Sequence, residues 1–162
     1  MRFFVSASAW KMFSLCILPL IAGIGVFHVT ESITAFRIIM LLIIFVELFW
    51  IYSVCKFITQ KYSNHITMPL TNLHLSLIYL LINSILFSLD IIPGEILYIF
   101  GLIGIVPNIY SVYFTARILV MAERERKVTF SDYIGTFILV YIFVFGVWLL
   151  QPRVNRLHHL NA

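Results

Sequence analysis

The chain has 162 residues, of which 62% are hydrophobic and only 11% charged, with a mean hydropathy of +1.02. Soluble domains carry about 25% charged residues. A soluble fold of this length could not hide so much apolar surface, so the composition calls for the bilayer as solvent and for one transmembrane domain over residues 1–162. The net charge of +4 suits anionic lipid headgroups, and the scattered basic residues give no nucleic-acid footprint.

Arg2 and Lys11 precede an apolar stretch in the manner of a secretory leader, but no small-x-small cleavage site follows Gly25. Residues 12–29 are therefore read as a retained first span. Four further segments are long enough to cross about 30 Å of hydrocarbon at about 1.5 Å per residue: 38–55, 74–92, 96–117 and 133–150. The fold expected is an all-α bundle of five transmembrane helices. The third segment is the weakest, with Asn83 and Ser84 at its centre and Asp90 near its end. The fifth is strongly apolar: Leu, Ile, Val and Phe fill 12 of its 18 positions and no charge interrupts it.

The links carry turn chemistry. Pro93-Gly94 suits a tight hairpin between the third and fourth spans, and Thr71-Asn72 suits a cap for the third. Residues 118–132 form a charged elbow, in which the fourth helix is expected to run on through Glu123-Arg124-Glu125-Arg126-Lys127 with Glu123 and Lys127 paired. Thr129 to Asp132 has the spacing of a capping box for the fifth helix. Gln151-Pro152 should end that helix, leaving 151–162 as a polar tail with one interfacial face built on Val154, Leu157 and Leu160.

Lysine and arginine set the orientation. With five spans, Arg2, Lys11, Lys56, Lys61, Arg117, Arg124, Arg126 and Lys127 share one side, and Arg37, Arg153 and Arg156 the other. The N-terminus is then cytoplasmic and the C-terminus outside. Trp148 falls at the outer interface in this scheme.

Glu47 is the charge placed deep inside a span. A carboxylate at the bilayer centre costs about 2.5–3.5 kcal/mol on insertion scales, so it needs a local reason. It lies about 13 Å from the start of its span at the helical rise. Asn83, Ser84, Asn108 and Tyr141 fall at similar depth in three other spans, with Pro19 and Pro107, whose rings free a backbone carbonyl. No lysine or arginine shares that level. Glu47 is then a proton- or cation-binding group with those four residues, or a neutral acid hydrogen-bonded to the amides and joining helices.

A second group, His28, Glu31, Asp90, Glu95 and Arg153, is expected at the outer face as an ion-pair and headgroup network. Its spacing matches no metal motif. The elbow, with Lys56, Lys61 and His65 nearby, reads as a topology-setting charge cluster. Cys16 and Cys55 read as two small buried thiols. No nucleophile–base pair, phosphate loop or cofactor signature stands out.

The stretches 128–135 (VTFSDYIG) and 146–155 (GVWLLQPRVN), with Thr115, Ala116, Arg117 and Glu123 upstream, resemble the C-terminal signature of a group of small multi-pass membrane proteins of Bacteroidota that has no assigned activity. The resemblance implies a bacterial inner-membrane protein and marks Asp132, Gln151, Pro152 and Arg153 as the group's pattern. On function, the sequence leans away from an enzyme. The leading expectation is a membrane subunit or accessory protein packing against the bilayer, a second copy or another membrane protein. The alternative is a proton- or cation-coupled transporter or channel centred on Glu47.

Overall fold

A computed structural model of the chain describes residues 2–62, 66, 68–89 and 93–159. Asp90, Leu160 and His65, singled out above, lie outside the described residues. The described residues form seven helices: α1 (Arg2–Ser6), α2 (Ala9–Thr30), α3 (Ile33–Lys61), α4 (Thr71–Ser88), α5 (Gly94–Arg124), α6 (Phe130–Tyr141) and α7 (Phe143–His159). Four of them, α2 to α5, are long and apolar enough to cross a membrane. Large apolar side chains such as Leu18, Leu42, Ile82 and Val106 face outward along them, as lipid-facing positions should. The chain is an all-helical, multi-pass integral membrane protein.

Short caps set the helix ends. The Ser8 hydroxyl accepts from Lys11 N at 3.3 Å and opens α2; the Ser32 hydroxyl accepts from Ala35 N at 3.3 Å and opens α3. Between α2 and α3 only Glu31 and Ser32 intervene. Glu31 takes the left-handed conformation (φ 53) and donates its N–H to Phe27 O at 2.8 Å, so the chain reverses in two residues. The expected Thr71-Asn72 cap does not form: Leu70 is the N-cap of α4 and makes no side-chain bond. α3 is the central span. It packs against α1, α2, α4 and α5, and 39% of its most apolar window is buried, against 17% for α2 and 22% for α4.

The stretch read as a fifth span is two antiparallel helices with a break at Ile142. Ile142 N still bonds Ile138 O at 3.0 Å, but beyond it Phe145 N and Gly146 N both turn to Ile142 O, at 3.1 and 2.8 Å. The returning helix presses on the outgoing one. A Cβ on Gly146 would stand 1.7 Å from the Leu139 carbonyl oxygen, so only glycine fits there. Hydropathy missed the break because the turn and the residues on either side of it, 137–145, are all apolar or aromatic.

The return overturns several expectations. Pro152 does not end a helix; it lies inside α7. Residues 151–159 are not an interfacial tail: Gln151, Val154 and Leu157 are buried. Trp148 packs beside the first turns of α2, its ring 5.0 Å from Trp10 and 5.1 Å from Phe13. The end of α7 meets the end of α3, where Lys61 Nζ donates to Leu157 O at 2.7 Å and His158 O at 3.0 Å. These carbonyls lie in the last turn of α7, where a cation is favoured.

Gln151 ties this end together. It is fully buried and every polar atom is used. Its Oε1 accepts from Trp50 Nε1 at 2.7 Å. Its Nε2 donates to Phe4 O at 3.0 Å, to Ala7 O at 3.1 Å and to Asn155 Oδ1 at 3.1 Å. Asn155 Nδ2 in turn donates to Ala7 O at 3.1 Å. One amide therefore clamps α7 to α3 and to the link after α1.

Residue 159 and the start of the chain therefore lie at the same end of the bundle. Epitope tags at the two termini, probed with protease in sealed vesicles, should be cleaved from the same side. Protection of one tag and loss of the other would refute the hairpin.

Candidate functional site

The hairpin α6–α7 reaches only part-way along the bundle, and a cavity of about 640 Å³ borders the end of α6. Its walls come from α3 (Ile44, Glu47, Leu48, Ile51), α4 (Leu80, Asn83, Ser84), α5 (Gly101 to Val112) and α6 (Phe137, Tyr141). All five residues picked out by depth, Glu47, Asn83, Ser84, Asn108 and Tyr141, line it. Gly104 makes room on α5, where an added Cβ would sit 3.4 Å from Asn83 Nδ2. The cavity is not sealed, since Ile105, Ile109 and Tyr141 at its rim are exposed.

Its polar groups divide into spent and unspent. Ser84 Oγ donates to Leu80 O at 2.7 Å and Ser111 Oγ to Pro107 O at 2.8 Å, so both hydroxyls are turned onto their own helices. Glu47, Asn83, Asn108 and Tyr141 make no side-chain hydrogen bond or ion pair with any described residue. The polar-glue reading needs Glu47 bonded to an amide, and that bond is not made. Glu47 is the only carboxyl among the lining residues. These side chains keep their bonding capacity free toward the cavity, so the arrangement is suited to an occupant that supplies partners. Sequence depth did not find Ser111, Gly101 or Gly104; the proximity of α4 to α5 brings them in.

The outer-face group does not assemble. His28 ends α2, Glu31 caps it and Glu95 lies in the first turn of α5, but no hydrogen bond or ion pair joins these three. Among the described residues no three of His, Cys, Asp or Glu come together. Arg153 belongs to the opposite end. Its Nε donates to Glu123 Oε1 at 2.6 Å, its Nη2 makes a second bond to Glu123, and its Nη1 donates to Thr136 Oγ1 at 3.0 Å. Placing it outside followed from reading 133–150 as one continuous helix, whereas the chain turns back at Ile142.

The elbow also differs from expectation. α5 stops at Arg124 because Glu125 takes the left-handed conformation (φ 49), so Lys127 is off the helix and Glu123 pairs with Arg153 instead. The capping box forms as its spacing predicts. Asp132 Oδ2 accepts from Thr129 N at 2.8 Å and from Thr129 Oγ1 at 2.9 Å, and its other oxygen pairs with Arg124. Cys16 and Cys55 are free and buried.

Comparison with known proteins gives no matching family model, curated protein or solved structure.

The bonds from Thr129, backbone first, and the charges of Arg124 and Arg126 hold the Asp132 carboxyl below the usual carboxylate range. A value lower in the folded than in the unfolded chain stabilises the fold above the ordinary carboxylate range and ceases to do so as pH falls through the lowered value. Asp132→Asn should lower the Tm at neutral pH, and its gap to the wild type should close on acidification. A gap that stays constant down to pH 2 would show that the charge is not what matters.

Proposed function

We propose that this is a bacterial inner-membrane protein that binds a proton or a small cation at Glu47 and passes it across the bilayer. The observation that carries this reading is the cavity, in which the one carboxyl among the lining residues faces unspent amides and a phenol. Intramembrane acids in such surroundings are the usual sites of proton and ion movement. The absence of a hydrogen bond to Glu47 from any described residue weighs against a purely structural acid.

The orientation proposed is N-terminus inside. The returning helix α7 adds Arg153 and Arg156 to the basic residues at the N-terminal end and leaves Arg37 alone at the other, which strengthens the positive-inside argument. Both termini are then cytoplasmic. The cavity would open toward one face at a time, with Glu47 neutralised by its cargo while it crosses the low-dielectric centre.

A role as subunit of a larger membrane assembly is the second reading. It is favoured by an apolar groove of about 380 Å³ between α3 and α4, walled by Phe45, Phe49, Leu77 and Ile78, which a neighbouring helix could fill. Flux decides between them. Purified protein in sealed liposomes under a cation or pH gradient should conduct, and Glu47→Gln should fall to the level of protein-free vesicles. Flux that survives Glu47→Gln, or is absent from well-folded wild type under every gradient, would overturn the transport reading and favour the subunit role.

A further inference from the structure

We propose that the occupant of the cavity is a partly hydrated monovalent alkali cation, held by Glu47, the side-chain oxygens of Asn83, Asn108 and Tyr141, and the negative end of α6. This rests on reading the cavity as a binding site and narrows what it takes.

Charge balance argues first. Glu47 is the only carboxyl among the lining residues. One carboxylate neutralises one positive charge, and a divalent ion there would leave a net charge in a low-dielectric interior, at large cost. Calcium sites gather six to eight oxygens, several of them carboxylate, and no group of three acids, histidines or cysteines occurs among the described residues. The donor types argue second. The lining offers carboxylate, amide and hydroxyl oxygens and neither thiol nor imidazole. That set suits hard cations and disfavours zinc or copper.

The helix break supplies an independent observation. α6 ends at Tyr141, whose side chain lines the cavity. Backbone bonding across the break runs from Ile142 N to Ile138 O and resumes with Phe145 N and Gly146 N on Ile142 O. The Tyr141 carbonyl at the end of α6 is thereby left without a helical donor, while that of Leu139 is covered by Gly146. A helix terminus of this kind carries a partial negative charge, and discontinuous helices ending at mid-membrane use it to hold cations. Phe137 and Tyr141 of α6 line the cavity, and α7 contributes none of its wall.

Size bears on hydration. At about 30 Å³ per water, the cavity of about 640 Å³ is far larger than a bare ion. The cation therefore keeps part of its shell, with Glu47 replacing only some waters, and sodium and potassium should both be accepted.

Thermal unfolding of the detergent-purified protein tests this at fixed pH and ionic strength, with choline chloride as the reference salt. Sodium or potassium chloride should raise the Tm by several degrees, since ligand bound only by the native state stabilises it. The rise should vanish in Glu47→Gln and shrink in Asn108→Ala. Asn108→Ala and Glu47→Asp keep the test decisive if Glu47→Gln does not fold. A rise with magnesium or calcium alone would overturn the monovalent assignment and leave the cavity as a binding site. No response to any metal cation, with Glu47-dependent proton flux retained, would overturn it in favour of a proton. No response and no Glu47-dependent flux would remove both this inference and the reading beneath it.

Discussion

A turn of backbone part-way through an apolar bundle is the constraint on which the rest of this structure depends. In hydrocarbon each unpaired N–H or carbonyl costs several kcal/mol, so a chain reverses at depth only where protein or a polar cavity takes up the freed groups. The break at Ile142 meets that condition. Gly146 lets α7 lie directly on the Leu139 carbonyl. Gln151 and Arg153 then anchor the returning helix, one by a saturated amide and the other by a carboxylate pair. Each anchor has a partner far from it in sequence. Trp50 is 101 residues from Gln151, and Glu123 is 30 from Arg153.

The consequences run in two directions. Toward the N-terminal end the bundle is filled: Trp50, Phe114, Ile118, Leu119, Leu150 and Gln151 are all essentially inaccessible. Beyond the tip of α6 the hairpin has no more mass to offer, and the space between α3, α4 and α5 is left open. Glu47 stands there. The same turn that closes one half of the molecule therefore creates the cavity in the other. A straight fifth helix would have had residues to place against Glu47.

The spans α2 to α5 were legible because hydropathy is a one-dimensional property and bilayer thickness sets its length. The cavity lining was legible for a related reason. Residues at equal depth in neighbouring spans have only the helix facing left to decide whether they meet, and Glu47, Asn83, Ser84, Asn108 and Tyr141 do share one cavity. The hairpin was not legible. Residues 133–150 are apolar throughout, and Ile142 is neither glycine nor proline, so nothing local marks the reversal. One missed turn inverts the side assigned to everything after it. That error placed Arg153, Arg156 and Trp148 at the wrong end and joined Arg153 to an outer-face group from which it is remote. The signals that pointed the other way were Gln151 and Asn155, amides spaced one helical turn apart and too polar for a bilayer interface without partners, and Gly146 in an otherwise bulky run.

The central claim is that Glu47 faces a cavity reached by water and ions from inside the bundle. Cysteine accessibility tests it most directly. In a background with Cys16 and Cys55 replaced by serine, Glu47→Cys should react in proteoliposomes with a small cationic methanethiosulfonate. Rapid labelling of a control cysteine at the exposed, lipid-facing Leu42 position is not expected. A residue-47 thiol that stays unreactive in folded protein, or reacts no faster than the one at position 42, would contradict the account.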